Sequence, residues 1–209
     1  MNQKTWAAAL VTLALGVLAF GCQSGGIGDP CTPEDEYQQY FSGYEFSEVN
    51  IESKSFQCET RLCLVNHFNG RVSCPYGQTE AQVMMTNLPQ GEQFRLCHIP
   101  GTTQENTRIR VPVNRQLSNR RAPDTVYCSC RCAGDTDARY CKCPTGFQCT
   151  KLLEPINRLG SKELAGSYCI KNGTEYVAGQ TLTGVTCQAT APDAVPPEAA
   201  GSCGAYDGQ

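Results

Sequence analysis

Six cysteines fall between Cys128 and Cys149, in the run Cys-Ser-Cys-Arg-Cys-Ala-Gly-Asp-Thr-Asp-Ala-Arg-Tyr-Cys-Lys-Cys-Pro-Thr-Gly-Phe-Gln-Cys. Thiols at this density cross-link a chain, hold a soft metal ion or exchange electrons, and the redox state of the compartment selects among the three. As thiolates, Cys128, Cys130, Cys132, Cys141 and Cys143 would offer sulfur ligands to copper or zinc. A second group, Cys58, Cys63, Cys74 and Cys97 with His67 and His98, has irregular spacing and no CxxC or HxxxH pair, so no structural zinc site is expected there. Asp135 and Asp137 supply two carboxylates, well short of the 6–8 oxygens that calcium takes.

Catalytic signatures are sparse. The chain has no G-x-S-x-G elbow, S-x-x-K, H-E-x-x-H, P-loop or complete G-x-G-x-x-G, and no C-x-x-C or C-x-x-C-H. A Cys97–His67 dyad would need a free thiol, which an exported cysteine-rich chain oxidises. The sequence therefore points to no catalytic residue, no metal and no cofactor, and the expected protein is not an enzyme.

Export is written at the N-terminus. Lys4 is the one charge before an apolar and small-residue run from Trp6 to Phe20, too short for the ~20 residues of a spanning helix and matching a signal peptide over residues 1–21. Its exit, Leu18-Ala19-Phe20-Gly21-Cys22, resembles the box that precedes the lipidated cysteine of bacterial lipoproteins, with Ala19 and Phe20 departing from the usual pattern. The resemblance implies a diacylglycerol and an amide-linked acyl chain on Cys22, and Gln23 in place of Asp implies the outer membrane, facing periplasm or cell surface. Two or more chains anchor stably where one binds marginally. Residues 22–30 then form the anchor and a short tether, about 28 Å if Gln23 to Pro30 are extended at ~3.5 Å each.

In an oxidising compartment the cross-linking chemistry prevails. Of fifteen cysteines, setting Cys22 aside leaves fourteen, an even number available for disulfides of unspecified pairing: Cys31, Cys58, Cys63, Cys74 and Cys97 in the first half, Cys128, Cys130, Cys132, Cys141, Cys143 and Cys149 in the cluster, and Cys169, Cys187 and Cys203 beyond it. Without residues 1–21 the chain carries sixteen Lys and Arg against twenty Asp and Glu, a net charge of −4 that argues against nucleic acid.

The elements that must position these sulfurs are short. The expected fold is small, disulfide-rich and mainly β, with short strands, hairpins and one or two short helices. Residues 31–121 form an N-terminal cysteine-rich β region, 122–187 a C-terminal one, and 188–209 an Ala/Pro-rich tail pinned by Cys203. Thr32-Pro33 with Glu34, Asp35 and Glu36 predicts a helix start, followed by a buried stripe of Tyr37, Tyr40, Phe41 and Tyr44. Phe68-Asn69-Gly70-Arg71 predicts a hairpin tip joining Leu62–His67 to Val72–Cys74. Thr107 to Val113 predicts a strand, with Arg108, Arg110, Arg115, Arg120 and Arg121 on a solvated face that could meet envelope anions.

Around the cluster, Val126 to Cys132 alternates, so one strand would carry Cys128, Cys130 and Cys132 on one face, opposite Cys141 and Cys143 across a turn over residues 133–139. Neighbours two apart along a strand lie near the upper limit for a bridge, so each should pair elsewhere. Leu152, Leu153, Ile156 and Leu159 predict a short helix broken at Pro155, and Asn172-Gly173 predicts a hairpin between Tyr168–Lys171 and Thr174–Val177.

Cys141-x-Cys143-x-x-Gly146-Phe147 resembles the C-terminal half of an EGF-like module. Only one residue separates Phe147 from Cys149 and the upstream spacing differs, so the likeness is local convergence. Over about a quarter of its length the chain resembles cysteine-rich lipoproteins of Gram-negative bacteria, through Cys22, Ile27-Gly28-Asp29-Pro30-Cys31 and the Tyr-Cys-x-Cys motifs; no activity comes with that resemblance. The functional expectation is a lipid-anchored structural or binding module whose partners are the membrane and an envelope polysaccharide or protein. A copper, zinc or thiol-redox protein is the first alternative, and an envelope hydrolase or inhibitor the second.

Overall fold

A computed structural model describes residues 25–85, 96–134, 139–154, 164–177, 185–187 and 203. The chain is a small disulfide-rich β protein, as its composition predicts: the described residues hold two three-stranded antiparallel sheets, two short helices and seven disulfides. Strands β1 (Val49–Glu52), β2 (Cys63–Asn66) and β3 (Val126–Cys128) form the first sheet, with β2 central. Strands β4 (Arg131–Ala133), β5 (Phe147–Leu153) and β6 (Gly166–Lys171) form the second, with β6 central. Helices α1 (Glu80–Met84) and α2 (Ala122–Thr125) are single-turn pieces, α1 closed by a capping box between Thr79 and Gln82.

β2 is buried along its whole length, and the two-residue period divides its side chains between two cores. Cys63 and Val65 face a cluster with Tyr44, Phe68, Val72 and Val126, while Leu64 faces Tyr127 and Ile170 between the sheets. A third cluster gathers Cys74, Cys97, Ile109 and Val113. None of these clusters is large. Fully burying one aliphatic side chain contributes about 1.5–3 kcal/mol, so the bridges in the first and third clusters supply much of what a larger core would.

Several predicted elements are differently made. The helix after Pro33 is one 3₁₀ turn, Glu34–Tyr37, with no side-chain cap. Thr32 is held instead by Gln57, whose amide exchanges two hydrogen bonds with the Thr32 backbone. The helix stops because Arg71 takes the carbonyls of Glu36, Gln38 and Phe41. The aromatic stripe is accordingly lost: Tyr44 is buried, but Tyr37 and Tyr40 are exposed.

The expected hairpin at Asn69-Gly70 does not form, since both edges of β2 are taken by β1 and β3. Gly70 pairs with Tyr44 instead, and at φ +88 it lies so close to Asn114 that a Cβ would sit 2.2 Å from that residue's carbonyl oxygen. Residues 107–113 are not a strand. Gln78 stands in for a neighbouring strand there, its side-chain amide donating to the carbonyls of Ile109 and Val111. Leu152 and Leu153 end β5 rather than opening a helix, and the rest of that predicted helix lies outside the described residues. The turn at Asn172-Gly173 is present, with Gly173 at φ +85, but β6 pairs with β4 and β5 and residues 174–177 add no strand.

Candidate functional site

The cluster from Cys128 to Cys149 is split between the two sheets rather than laid along one strand. β3 ends at Cys128, the chain turns through Ser129 and Cys130, and β4 begins at Arg131. The turn is fixed from both sides: the Ser129 amide donates to the Leu62 carbonyl at 3.0 Å and its hydroxyl to the Cys169 carbonyl at 2.7 Å. Tyr127 adds a second tie, its phenolic oxygen accepting from the Lys171 amide at 2.9 Å, and burial pushes that phenol up to about 12. Neither Cys130 nor the run Tyr140 to Cys143 is in a strand, so the facing-strand arrangement of five sulfurs gives way to bridges between loops and sheets.

No cysteines two residues apart pair with one another. Cys31–Cys63 and Cys58–Cys128 secure the first sheet, and Cys74–Cys97 closes the third cluster. Cys130–Cys141, Cys132–Cys149 and Cys143–Cys169 secure the second sheet, and Cys187–Cys203 gives the C-terminal cysteine its partner. Cα separations of 5.3 to 6.3 Å lie within the range that a disulfide spans. Two of these bridges touch: the Cys169 sulfur lies 3.6 Å from that of Cys130 and 3.8 Å from that of Cys141.

Sulfur atoms of Cys130, Cys141 and Cys169, of Cys132, Cys143 and Cys169, and of Cys31, Cys58 and Cys128 each gather within 4.8 Å. Thiolates so placed would suit a soft metal, but every one of these sulfurs is in a disulfide and has no thiolate to give. Asp135 and Asp137 lie outside the described residues, as does Cys22.

The arginines do not share a face. Arg108 is buried, donating to the carbonyls of Gln82 and Met85 at the end of α1 and to Glu105. Arg120 is buried too, donating to Asn66, His67 and Thr174 carbonyls, while Arg110, Arg115 and Arg121 reach solvent. The predicted solvated patch is thus two structural donors and three separate surface charges. Charge counts alone concealed this, because carbonyl acceptors leave no mark in a sequence.

Two buried polar centres were not foreseen. Glu36 and Arg71 are both fully buried, with Arg71 Nε 3.3 Å from Glu36 Oε2, within ion-pair distance though not aligned for a hydrogen bond. Glu36 accepts from the Val72 amide at 2.7 Å and the Ser73 hydroxyl at 2.5 Å, yet burial still holds its carboxyl above the usual carboxylate range. His67, at φ +50, donates through Nδ1 to the Phe46 carbonyl and stacks on Tyr176 at 3.8 Å; burial, aided by the Arg120 charge, holds its imidazole below the ordinary value.

The segment that leads in from Cys22 is not a free tether from Gly25 onward. The Gly25 amide donates to the Gln57 carbonyl at 2.7 Å, and the Glu59 amide donates to the Gly25 carbonyl at 2.8 Å. Further on, Gly28 donates to Cys128, Cys128 donates to Asp29, and Pro30 bridges to Tyr127. Of the expected tether from Gln23 to Pro30, Gly25, Gly28, Asp29 and Pro30 are thus tied to the body, while Gln23 and Ser24 lie outside the described residues. Beside this segment, Phe56 is 80 % exposed, with the Arg61 guanidinium 4.4 Å above its ring. Comparison with protein-family models, curated proteins and solved structures returns no match to this chain.

Proposed function

We propose that the protein is a lipid-anchored lipoprotein of the bacterial outer membrane that acts as a disulfide-stabilised structural or binding module, with no catalytic role. The observation that carries this reading is the cysteine accounting: fourteen cysteines are paired in seven bridges, and the one outside them, Cys22, is the residue that the lipoprotein-like box singles out. The oxidised state of the chain supports export. The same pairing favours a cross-linked module over a copper or zinc protein, which would need the cluster sulfurs as thiolates. Attachment three residues before the pinned Gly25 would hold the body against the membrane, where its loops would meet an envelope polysaccharide or protein.

Mass spectrometry of the intact mature protein tests this. The expected mass is that of residues 22–209 with seven bridges plus a diacylglyceryl group and an amide-linked acyl chain on Cys22. An unmodified Cys22, or several free thiols with bound metal, would overturn the reading.

A further inference from the structure

We propose that the surface formed by Gly25–Asp29 and the loop Ser53–Arg61 is the face that the protein lays on the membrane, with the Phe56 ring at the lipid interface. The inference rests on acylation of Cys22. Three virtual bonds separate the α carbons of Cys22 and Gly25, so at ~3.8 Å each Gly25 stays within about 11 Å of the anchored residue. The headgroup region on one side of a bilayer is roughly 5–8 Å deep. Whatever Gly25 is bonded to is therefore held at the lipid surface.

Gly25 is bonded to the Phe56 loop. Its amide and carbonyl flank Cys58 through Gln57 and Glu59, and Cys58 is bolted to β3 by its bridge to Cys128. The loop is closed on itself, with Ser55 donating to the Arg61 carbonyl and Arg61 to the Cys58 carbonyl. This frame presents Phe56, the most exposed large apolar side chain among the described residues. Arg61 lies over its ring, so the guanidinium can reach lipid phosphates while the ring enters the acyl boundary.

Charge does not drive the contact. Lys54 and Arg61 are offset by Glu59 and Asp29, and Asp29 is itself engaged by the Gly26 amide at 2.7 Å. An apolar ring beside a covalent anchor fits a lipid surface, because the anchor supplies the proximity and the ring adds only orientation. The opposite end of β2 serves as a reference: Asn66 there bonds Thr174, and Val177, three residues on, is 67 % exposed.

Fluorescence tests the assignment. The single tryptophan of the sequence is Trp6, within the signal segment, so in a chain matured at Cys22 a Phe56→Trp substitution introduces the sole indole. The acylated variant, with its N-terminal mass and seven bridges verified, is reconstituted into phosphatidylcholine vesicles with and without phosphatidylglycerol. We expect its emission to shift to the blue and to lose most of its intensity with lipids brominated near the headgroup, at both compositions, while Val177→Trp stays red and unquenched. Acylated protein whose Phe56→Trp emission is unshifted and unquenched, matches that of Val177→Trp, or shifts only when another envelope protein is added overturns the docking face and leaves the anchor standing. A mature mass without acylation removes the anchor reading and this inference with it.

Discussion

At the scale of single residues, the buried polar groups show how a chain with small cores fixes loops. Arg71, Arg120 and Gln116 donate to backbone carbonyls, and each joins segments far apart in sequence. His67 has a different consequence, because it titrates. Its folded pKa is depressed below 6.5, so between that depressed value and 6.5 the unfolded chain binds more protons than the folded one. Stability contributed by neutral His67 is therefore present above 6.5 and lost as pH falls through this window. Asparagine tolerates the left-handed backbone at φ +50 and does not titrate. Denaturation of wild type and His67→Asn at pH 7.5 and 5.5 should show a smaller loss for the variant at low pH; equal losses would mean that His67 is not depressed.

At the scale of elements, the bridges differ in the loops they close. Cys58–Cys128 spans 70 residues and ties the Phe56 loop to β3, whereas Cys130–Cys141 spans 11 beside the second sheet. Loop-closure entropy assigns about 4 kcal/mol to the first and about 3 kcal/mol to the second. Burial widens the gap, since Cys58 and Cys128 are wholly buried and Cys141 is not. Paired serine replacement of Cys58 and Cys128 should lower the melting temperature more than replacement of Cys130 and Cys141, and the reverse order would count against this account. The small disulfide-rich β fold and the separate pairing of cysteines two residues apart were legible in the sequence, because cysteine density and strand geometry depend on local spacing. The strand pairing was not. Asn69-Gly70 carries a hairpin signal, but β2 already has two partners brought from 11–17 and 61–65 residues away in register, and local turn chemistry says nothing of that competition. Likewise Val126 to Cys132 alternates as one strand would, and the break at Ser129 comes from its bonds to Leu62 and Cys169, which are remote in sequence. In the sequence Phe56-Gln57-Cys58 merely echoes Phe147-Gln148-Cys149, and nothing in that echo marks Phe56 as an exposed ring beside the pinned Gly25.

At the scale of the whole molecule, the two sheets share one interface, through Leu64, Tyr127 and Ile170, but their bridges stand in different surroundings. In the first sheet Cys31, Cys58, Cys63 and Cys128 are each at most 1 % exposed, so a reductant reaches their sulfurs only after local opening. In the second sheet Cys149 is exposed and Cys132 half-buried, and exchange rate depends on access. Cys132–Cys149 should therefore be the first bridge reduced in the native protein. The adjoining bridges add a second step. With the Cys169 sulfur 3.6 Å from that of Cys130, a thiolate released at either position meets a disulfide within contact distance. Once the reductant opens Cys130–Cys141, attack of the Cys130 thiolate on Cys169 forms a Cys130–Cys169 disulfide and expels the Cys143 thiolate, so that exchange itself leaves the number of bridges unchanged. Limited reduction without denaturant, followed by alkylation and peptide mapping, should label Cys132 and Cys149 first and then reveal a Cys130–Cys169 pair, with the first-sheet bridges intact until cooperative unfolding. Early labelling of Cys31, Cys58, Cys63 or Cys128 would show instead that the two sheets open as one unit.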